Sequence, residues 1–214
     1  MVGAITMLER MQWLKTMGVD LQYVLDIGSF HGQFGDMIHE IWPHAHVISI
    51  EANPQHQSIN PQQITACLSD QDNKWVEFYT PQPGTIATGA SYYLENTHYY
   101  QDPIATAVQT VTIDTLYQQH AWHADWQTHG MVKMDTQGSE LDILRGAGKF
   151  FAEQQPRLLL LEVGHQSYNK GAPSASDVVA YLCQQGYKWI DIWDQFRGAH
   201  NTLLQSDLLF ERQS

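Results

Sequence analysis

The sequence predicts an α/β domain built on a parallel sheet, and three observations carry that expectation. Short apolar runs alternate with segments whose apolar residues recur at helical spacing, the pattern of parallel strands joined by helices. The first run, Tyr23–Ile27, leads into a glycine turn, Gly28-Ser29-Phe30-His31-Gly32, and then a helical pattern. The run Arg157–Val163 is the most apolar of the chain, as a central strand buried on both faces should be.

In order, residues 4–17 place Ile5, Leu8, Met11, Leu14 and Met17 on one helical face, and Gly18 stops that helix. A strand at 22–27 and a helix at 33–42 follow, the helix ending near Pro43. His46–Glu51 is a second strand, Asn53-Pro54 opens another helix, and Ile64–Leu68 is a third strand. Lys74–Thr80 alternates at period two, as an antiparallel or edge strand does. Residues 81–107 are polar and aromatic with no regular period, which marks a binding loop or lid. A strand resumes at Val108–Thr112, and a helix runs from Ile113 to near His120. Met131–Asp135 is the next strand, and the helix Ser139–Phe151 follows it. After the run at 157–163, Ser174 or Ser176 caps a helix of about 175–185 that Gly186 ends. Tyr187–Trp193 and Asp207–Arg212 close the chain as an antiparallel hairpin at the sheet edge. No repeat or linker divides the 214 residues, so 1–214 is read as one domain.

Composition excludes several classes. A net charge of −12, with only 11 Lys and Arg, disfavours nucleic acid or an anionic membrane as partner. No apolar run is long enough to span a bilayer, and Glu9 and Arg10 interrupt any signal-peptide core. Cys67 and Cys183 form no C-x-x-C pattern, so a reduced, cytoplasmic protein is expected. No H-x-x-x-H or H-E-x-x-H pair marks a metal site, and His44/His46 and His120/His123 read as solvated or capping residues. The oligomeric state is not encoded in any pattern here.

The chemistry centres on the first turn. Gly28 and Gly32 allow a tight turn and close approach of a ligand. Phe30 stands at the second glycine of the dinucleotide fingerprint G-x-G-x-x-G, which argues against NAD, and no P-loop is present. Asp26 can accept from an ammonium while turn amides donate to a carboxylate, and Ser29 and Phe30 of that turn are counted with the cofactor-binding residues. Glu51, with Ala52 beside it, can accept both hydroxyls of a ribose. Asp70 can accept from an adenine amino group, with a neighbouring amide meeting a ring nitrogen; Ser69 belongs to this group. Amino acid, ribose and adenine together describe S-adenosylmethionine. The competing reading is that these acids only cap loops.

The segments Val24–Gly32, Ile50-Glu51-Ala52-Asn53-Pro54, Leu68-Ser69-Asp70, Val111–Leu116 and Val132–Glu140 resemble the FkbM family of S-adenosylmethionine-dependent methyltransferases. The most specific stretch is Lys133-Met134-Asp135-Thr136-Gln137-Gly138-Ser139-Glu140, followed by Leu144-Arg145-Gly146-Ala147. Many members carry Ala-Asn where this chain has Ser29-Phe30. The resemblance implies a Rossmann-like class I methyltransferase fold: a seven-stranded, mostly parallel sheet with an antiparallel edge strand and helices on both faces. It also implies methyl transfer to a hydroxyl of a sugar, glycan or natural product.

Such a transfer needs an aligned acceptor and a route for its proton. Asp135 and Glu162, at the ends of their strands, and His165 are the catalytic candidates. The same three could instead hold a divalent metal. Lys133 is read as a strand residue paired to an acid, and Glu140 as a cap. Tyr92, Tyr93, Tyr99 and Tyr100 in the lid offer faces for stacking on an acceptor. The rival functions are an NAD-dependent oxidoreductase or epimerase, against which the lack of a Tyr-x-x-x-Lys pair speaks, and a non-catalytic S-adenosylmethionine-binding module.

Overall fold

The protein is described by a computed structural model covering residues 5–56, 63–85, 88–122, 124–166 and 168–213. Ala4, His123, residues 86–87 of the expected lid and most of the helix expected from Asn53 onward lie outside the described residues. Asn53–His56 themselves form a turn, closed by the His56 amide on the Asn53 carbonyl at 3.0 Å.

The main sheet has seven strands: β1 (Tyr23–Ile27), β2 (His46–Glu51), β3 (Gln63–Thr65), β7 (Gly130–Met134), β8 (Leu158–Gly164), β9 (Tyr187–Arg197) and β10 (Leu203–Arg212). Their order is β3-β2-β1-β7-β8-β10-β9. Strands β3, β2, β1, β7 and β8 run parallel, and β10 is antiparallel to both β8 and β9. The final hairpin therefore occupies the sheet edge with its antiparallel member inside. Strand order reverses between β1 and β7, the place where open α/β sheets present their ligand crevice.

Alternation along the strands assigns the two faces. Val24, Val47, Met131, Leu158 and Leu160 pack under α1 (Met7–Thr16) and α2 (Gln33–Ile41) with Met11, Leu14, Ile38 and Trp42. Leu25, Ile48, Val132, Leu159 and Leu161 face the opposite layer, α3 (Ile113–His120), α4 (Trp126–His129), α5 (Glu140–Arg145), α6 (Gly148–Gln154) and α7 (Ala175–Gln184). Capping boxes, Thr6 with Glu9 and Ser174 with Asp177, start α1 and α7 and satisfy their first amides.

Three differences from the sequence expectation bear on the site. The third strand splits at Ala66: β3 pairs with β2, while β4 (Cys67–Leu68) joins β6 (Ile104–Val111) and β5 (Trp75–Thr80) in a second, three-stranded sheet. β6 starts inside the stretch expected to be irregular, its Ala and Thr residues giving little hydrophobic signal. The helix expected over 139–151 breaks into α5 and α6 around Gly146. A side chain at Gly146 would lie 2.2 Å from the Ser69 carbonyl oxygen. The Asp114 carboxylate then caps α6, accepting from the Lys149 and Phe150 amides at 2.9 and 2.8 Å.

Candidate active site

A cavity of about 540 Å³ opens at the carboxyl ends of β1, β2 and β7. One end is walled by Glu51, His56, Cys67, Leu68, Ser91 and Tyr92, the other by Phe34, Met37, Lys133, Asp135, Glu162 and Asp207. Gly28, Ser29 and Phe30 lie between.

The turn after β1 is latched to β2. The Gly28 and Ser29 amides both donate to the Ile50 carbonyl, at 2.9 and 3.1 Å. Phe30 adopts φ 51°, which points its amide at Glu51 Oε2, 2.9 Å away. Glu51 Oε1 accepts the Asn53 amide at 2.8 Å. Burial raises the Glu51 pKa, and the Asn53 and Phe30 amides work against that shift. Of the turn amides expected to meet a carboxylate, those of Ser29 and Phe30 are already held by the strand-two backbone and Glu51. What the turn offers instead is the Ser29 hydroxyl, buried against the cavity with no partner among the described residues. Gly28, at φ 72°, has its missing side chain for another reason too, because a Cβ there would sit 1.8 Å from the Asp135 carbonyl oxygen. Gly32, at φ 88°, starts α2 and does not line the cavity.

The other acidic positions divide. Asp26 is fully buried behind the cavity wall and pairs with Lys133 Nζ at 3.5 Å. Burial raises its pKa and the lysine opposes the rise. Ser69 and Asp70 lie outside the cavity lining; Asp70 accepts from Ser69 Oγ at 3.1 Å and pairs with Lys74 at 3.6 Å. The switch of sheets at Ala66 takes them away, and Cys67, Leu68 and Tyr92 line that end instead. Burial, followed by the charge of Glu51, pushes the Cys67 thiol up to about 12, so it stands as an uncharged wall.

At the far end Lys133 sits among carboxylates. Its Nζ lies 3.4 Å from Asp135 Oδ2 and donates to the Gly28 carbonyl at 3.2 Å. Burial opposes its charge, but Asp135, Asp26 and Glu162 outweigh burial and hold the ammonium protonated. Glu162 Oε1 accepts from Gln137 and Gln205, each at 2.7 Å, and Gln137 also donates to Asp135 Oδ1 at 2.9 Å. Burial and then the charges of Asp135 and Asp207 raise the Glu162 pKa well above the carboxylate range. Asp207, which sequence reasoning missed, faces Glu162 across the β8–β10 pairing. Burial and the Asp135 charge bring its pKa up to about 6.

His165 is not brought to the cavity: its Nε2 lies 2.5 Å from Ser206 Oγ and its amide donates to Leu204. Among the described residues no group of three or more His, Cys, Asp or Glu is placed to hold a metal. The set Asp135, Glu162 and His165 therefore does not fit a metal, since Lys133 and the two glutamines occupy the carboxylates and the histidine turns to β10. Glu140 caps the preceding turn, accepting from Thr136 and Gly138 amides at 2.9 and 3.3 Å, and burial raises its pKa to about 7.

The lid residues also divide. Tyr92 lines the cavity, but its hydroxyl reaches Asp142 Oδ2 at 3.2 Å, and Tyr93 donates to the same oxygen at 2.7 Å. Tyr100 is buried and Tyr99 is exposed, and neither lines the cavity. No described helix is long and apolar enough to cross a membrane.

The family model for the methyltransferase FkbM domain matches residues 26–189. Among solved structures, the methyltransferase FkbM from Methylobacillus flagellatus KT aligns with a TM-score of 0.53 at 14% identity, covering 90% of this chain and 44% of that one. This chain thus spans less than half the length of that protein, and the likeness is one of fold. A precorrin-6y C5,15-methyltransferase from Geobacter metallireducens GS-15 aligns with a TM-score of 0.47 at 10% identity, over 99% of this chain and 94% of that one. No curated protein matches the sequence.

Proposed function

The chain belongs to the FkbM methyltransferase family, and on that premise we propose that it methylates a hydroxyl oxygen of a sugar, glycan or natural product with S-adenosylmethionine as donor. The observation that carries the reading is the arrangement around the first turn: Glu51, held by two backbone amides, lines one cavity with Ser29, whose buried hydroxyl has no partner among the described residues. Each oxygen of Glu51 has a lone pair left for a ribose hydroxyl. Ser29 Oγ can donate to the donor's carboxylate, and Leu68 and Tyr92 offer flat or apolar faces to a purine. The bound donor supplies an electrophilic methyl group on a sulfonium.

The chain's own residues do the rest. Asp135 and Asp207 line the far end of the cavity, where an acceptor hydroxyl can lose its proton to a carboxylate. Glu162 is held by Gln137 and Gln205 and fixes the shape of that end. Lys133 offsets part of the repulsion among the acids and donates to the Gly28 carbonyl. The net charge of −12 supports a small-molecule or glycan acceptor over nucleic acid or membrane. Two unpaired cysteines support a reducing, cytoplasmic setting.

Titration calorimetry with S-adenosylmethionine, S-adenosylhomocysteine and NAD tests the reading. Binding of both sulfur nucleosides and not NAD is expected, and binding of neither would sink it. Glu51→Ala should weaken S-adenosylhomocysteine by roughly 1.5–3 kcal/mol, the scale for hydrogen bonds to a charged group. Unchanged affinity would mean that the ribose is held elsewhere.

A further inference from the structure

The turn after β2 brings a second side chain to Glu51. The Asn53 carbonyl accepts the His56 amide, and the Asn53 side chain accepts the Gln55 amide at 3.0 Å, so the chain doubles back. The His56 ring returns over the strand end and packs edge-on to Phe30, with ring centroids 4.3 Å apart. It thereby bridges the two turns that frame this end of the cavity, and it lines the cavity itself.

Two distances define its chemistry. Asn53 Nδ2 lies 3.4 Å from His56 Nε2. An amide nitrogen there is a donor, so Nε2 is the acceptor and the ring proton resides on Nδ1. That Nδ1 lies 3.9 Å from Glu51 Oε1. The gap exceeds a direct hydrogen bond, and a hydroxyl placed beside both atoms can accept from one and donate to the other. Burial and then the charge of nearby His31 lower the His56 pKa, which favours the neutral ring this arrangement needs.

We propose that His56 and Glu51 form a two-sided clamp on one ribose hydroxyl of the donor, with His56 Nδ1–H donating to the hydroxyl oxygen and Glu51 accepting its proton. The inference rests on the methyl-donor reading above and assigns the ribose specificity of that site to a residue outside the family-like segments. It makes the site selective for a nucleoside whose ribose hydroxyls are intact. A carboxylate alone would hold any donor, whereas the paired donor and acceptor recognise a group that is both.

Calorimetry with S-adenosylhomocysteine and its 2′,3′-dideoxy analogue separates the possibilities. The wild-type protein should prefer the intact nucleoside. His56→Phe keeps a ring against Phe30 but has no donor, and it should lose about fivefold in affinity for S-adenosylhomocysteine, the scale of one hydrogen bond. It should bind the dideoxy analogue within twofold of wild type. His56→Gln, which restores a donor, should recover part of the preference. An equal loss for both ligands, or no loss for either, overturns the clamp and leaves the methyl-donor reading standing. A wild-type protein that binds neither ligand overturns both.

Discussion

The two ends of the cavity are built on opposite principles. At the β1–β2 end a single carboxylate, Glu51, is surrounded by donors: the Phe30 and Asn53 amides, with His56 beyond. Its geometry is set before any ligand arrives. At the β7–β8–β10 end, Asp135, Glu162 and Asp207 line the cavity, Asp26 lies behind them, and Lys133 is the lysine placed among all four. The carboxylates there repel one another, and burial with mutual charge raises the pKa values of Glu162 and Asp207. One end is satisfied and suited to binding. The other is electrostatically loaded and suited to moving a proton.

The two ends differ most at Lys133. Removing one partner of a buried ion pair leaves an uncompensated charge, at about 3–5 kcal/mol. Lys133→Met should therefore lower stability by about 3 kcal/mol in urea unfolding, because Asp26 is wholly buried and has only this ammonium within ion-pair distance among the described residues. A variant as stable as wild type would mean that Asp26 is protonated and that the loaded end carries less charge than its residues suggest.

The same contrast explains what could be read from the sequence. Glu51 and the first turn were legible because their geometry is local: an acid ends a strand, and the turn beside it contains glycines. The parallel core was legible from alternation and from the apolar run of β8. Asp207 was not, because it lies within β10 and reaches Glu162 only through strand pairing. Asp70 lies outside the cavity lining, beyond a change of sheet at Ala66 that nothing local marks. Tyr93 looked like an acceptor platform, yet its hydroxyl is held by Asp142, a residue distant in the chain. His165 directly follows β8, but beside β10 its ring turns to Ser206.

The charge at the far end responds to pH through Asp207. Its pKa rises on folding from the usual 3.8 to about 6. Between those values the folded protein holds more protons than the unfolded chain, so this group's contribution to stability falls as pH rises through the window and is level above it. Asp207→Asn removes the charge and should stabilise the protein by about 1–3 kcal/mol at pH 7.5, with no gain near pH 4. Urea unfolding at both values measures it. A gain of equal size at pH 4 would point to packing rather than charge.

Near α5, one tyrosine forms the cavity wall and its neighbour only ties the segment down. Tyr92 and Tyr93 both reach Asp142 Oδ2, but only Tyr92 lines the cavity. Asp142 also pairs with Arg145 at 3.7 Å, so the carboxylate keeps partners when one hydroxyl is removed. Tyr93→Phe should then cost about 1 kcal/mol of stability, the net worth of a single hydrogen bond, and leave S-adenosylhomocysteine affinity unchanged. Tyr92→Phe removes the longer of the two bonds and retains the ring that faces the cavity, so it should cost less stability still. If Tyr93→Phe weakens the nucleoside severalfold while unfolding normally, the segment around Ser91 is held in place by Asp142, and the satisfied end of the cavity extends from the two turns as far as α5.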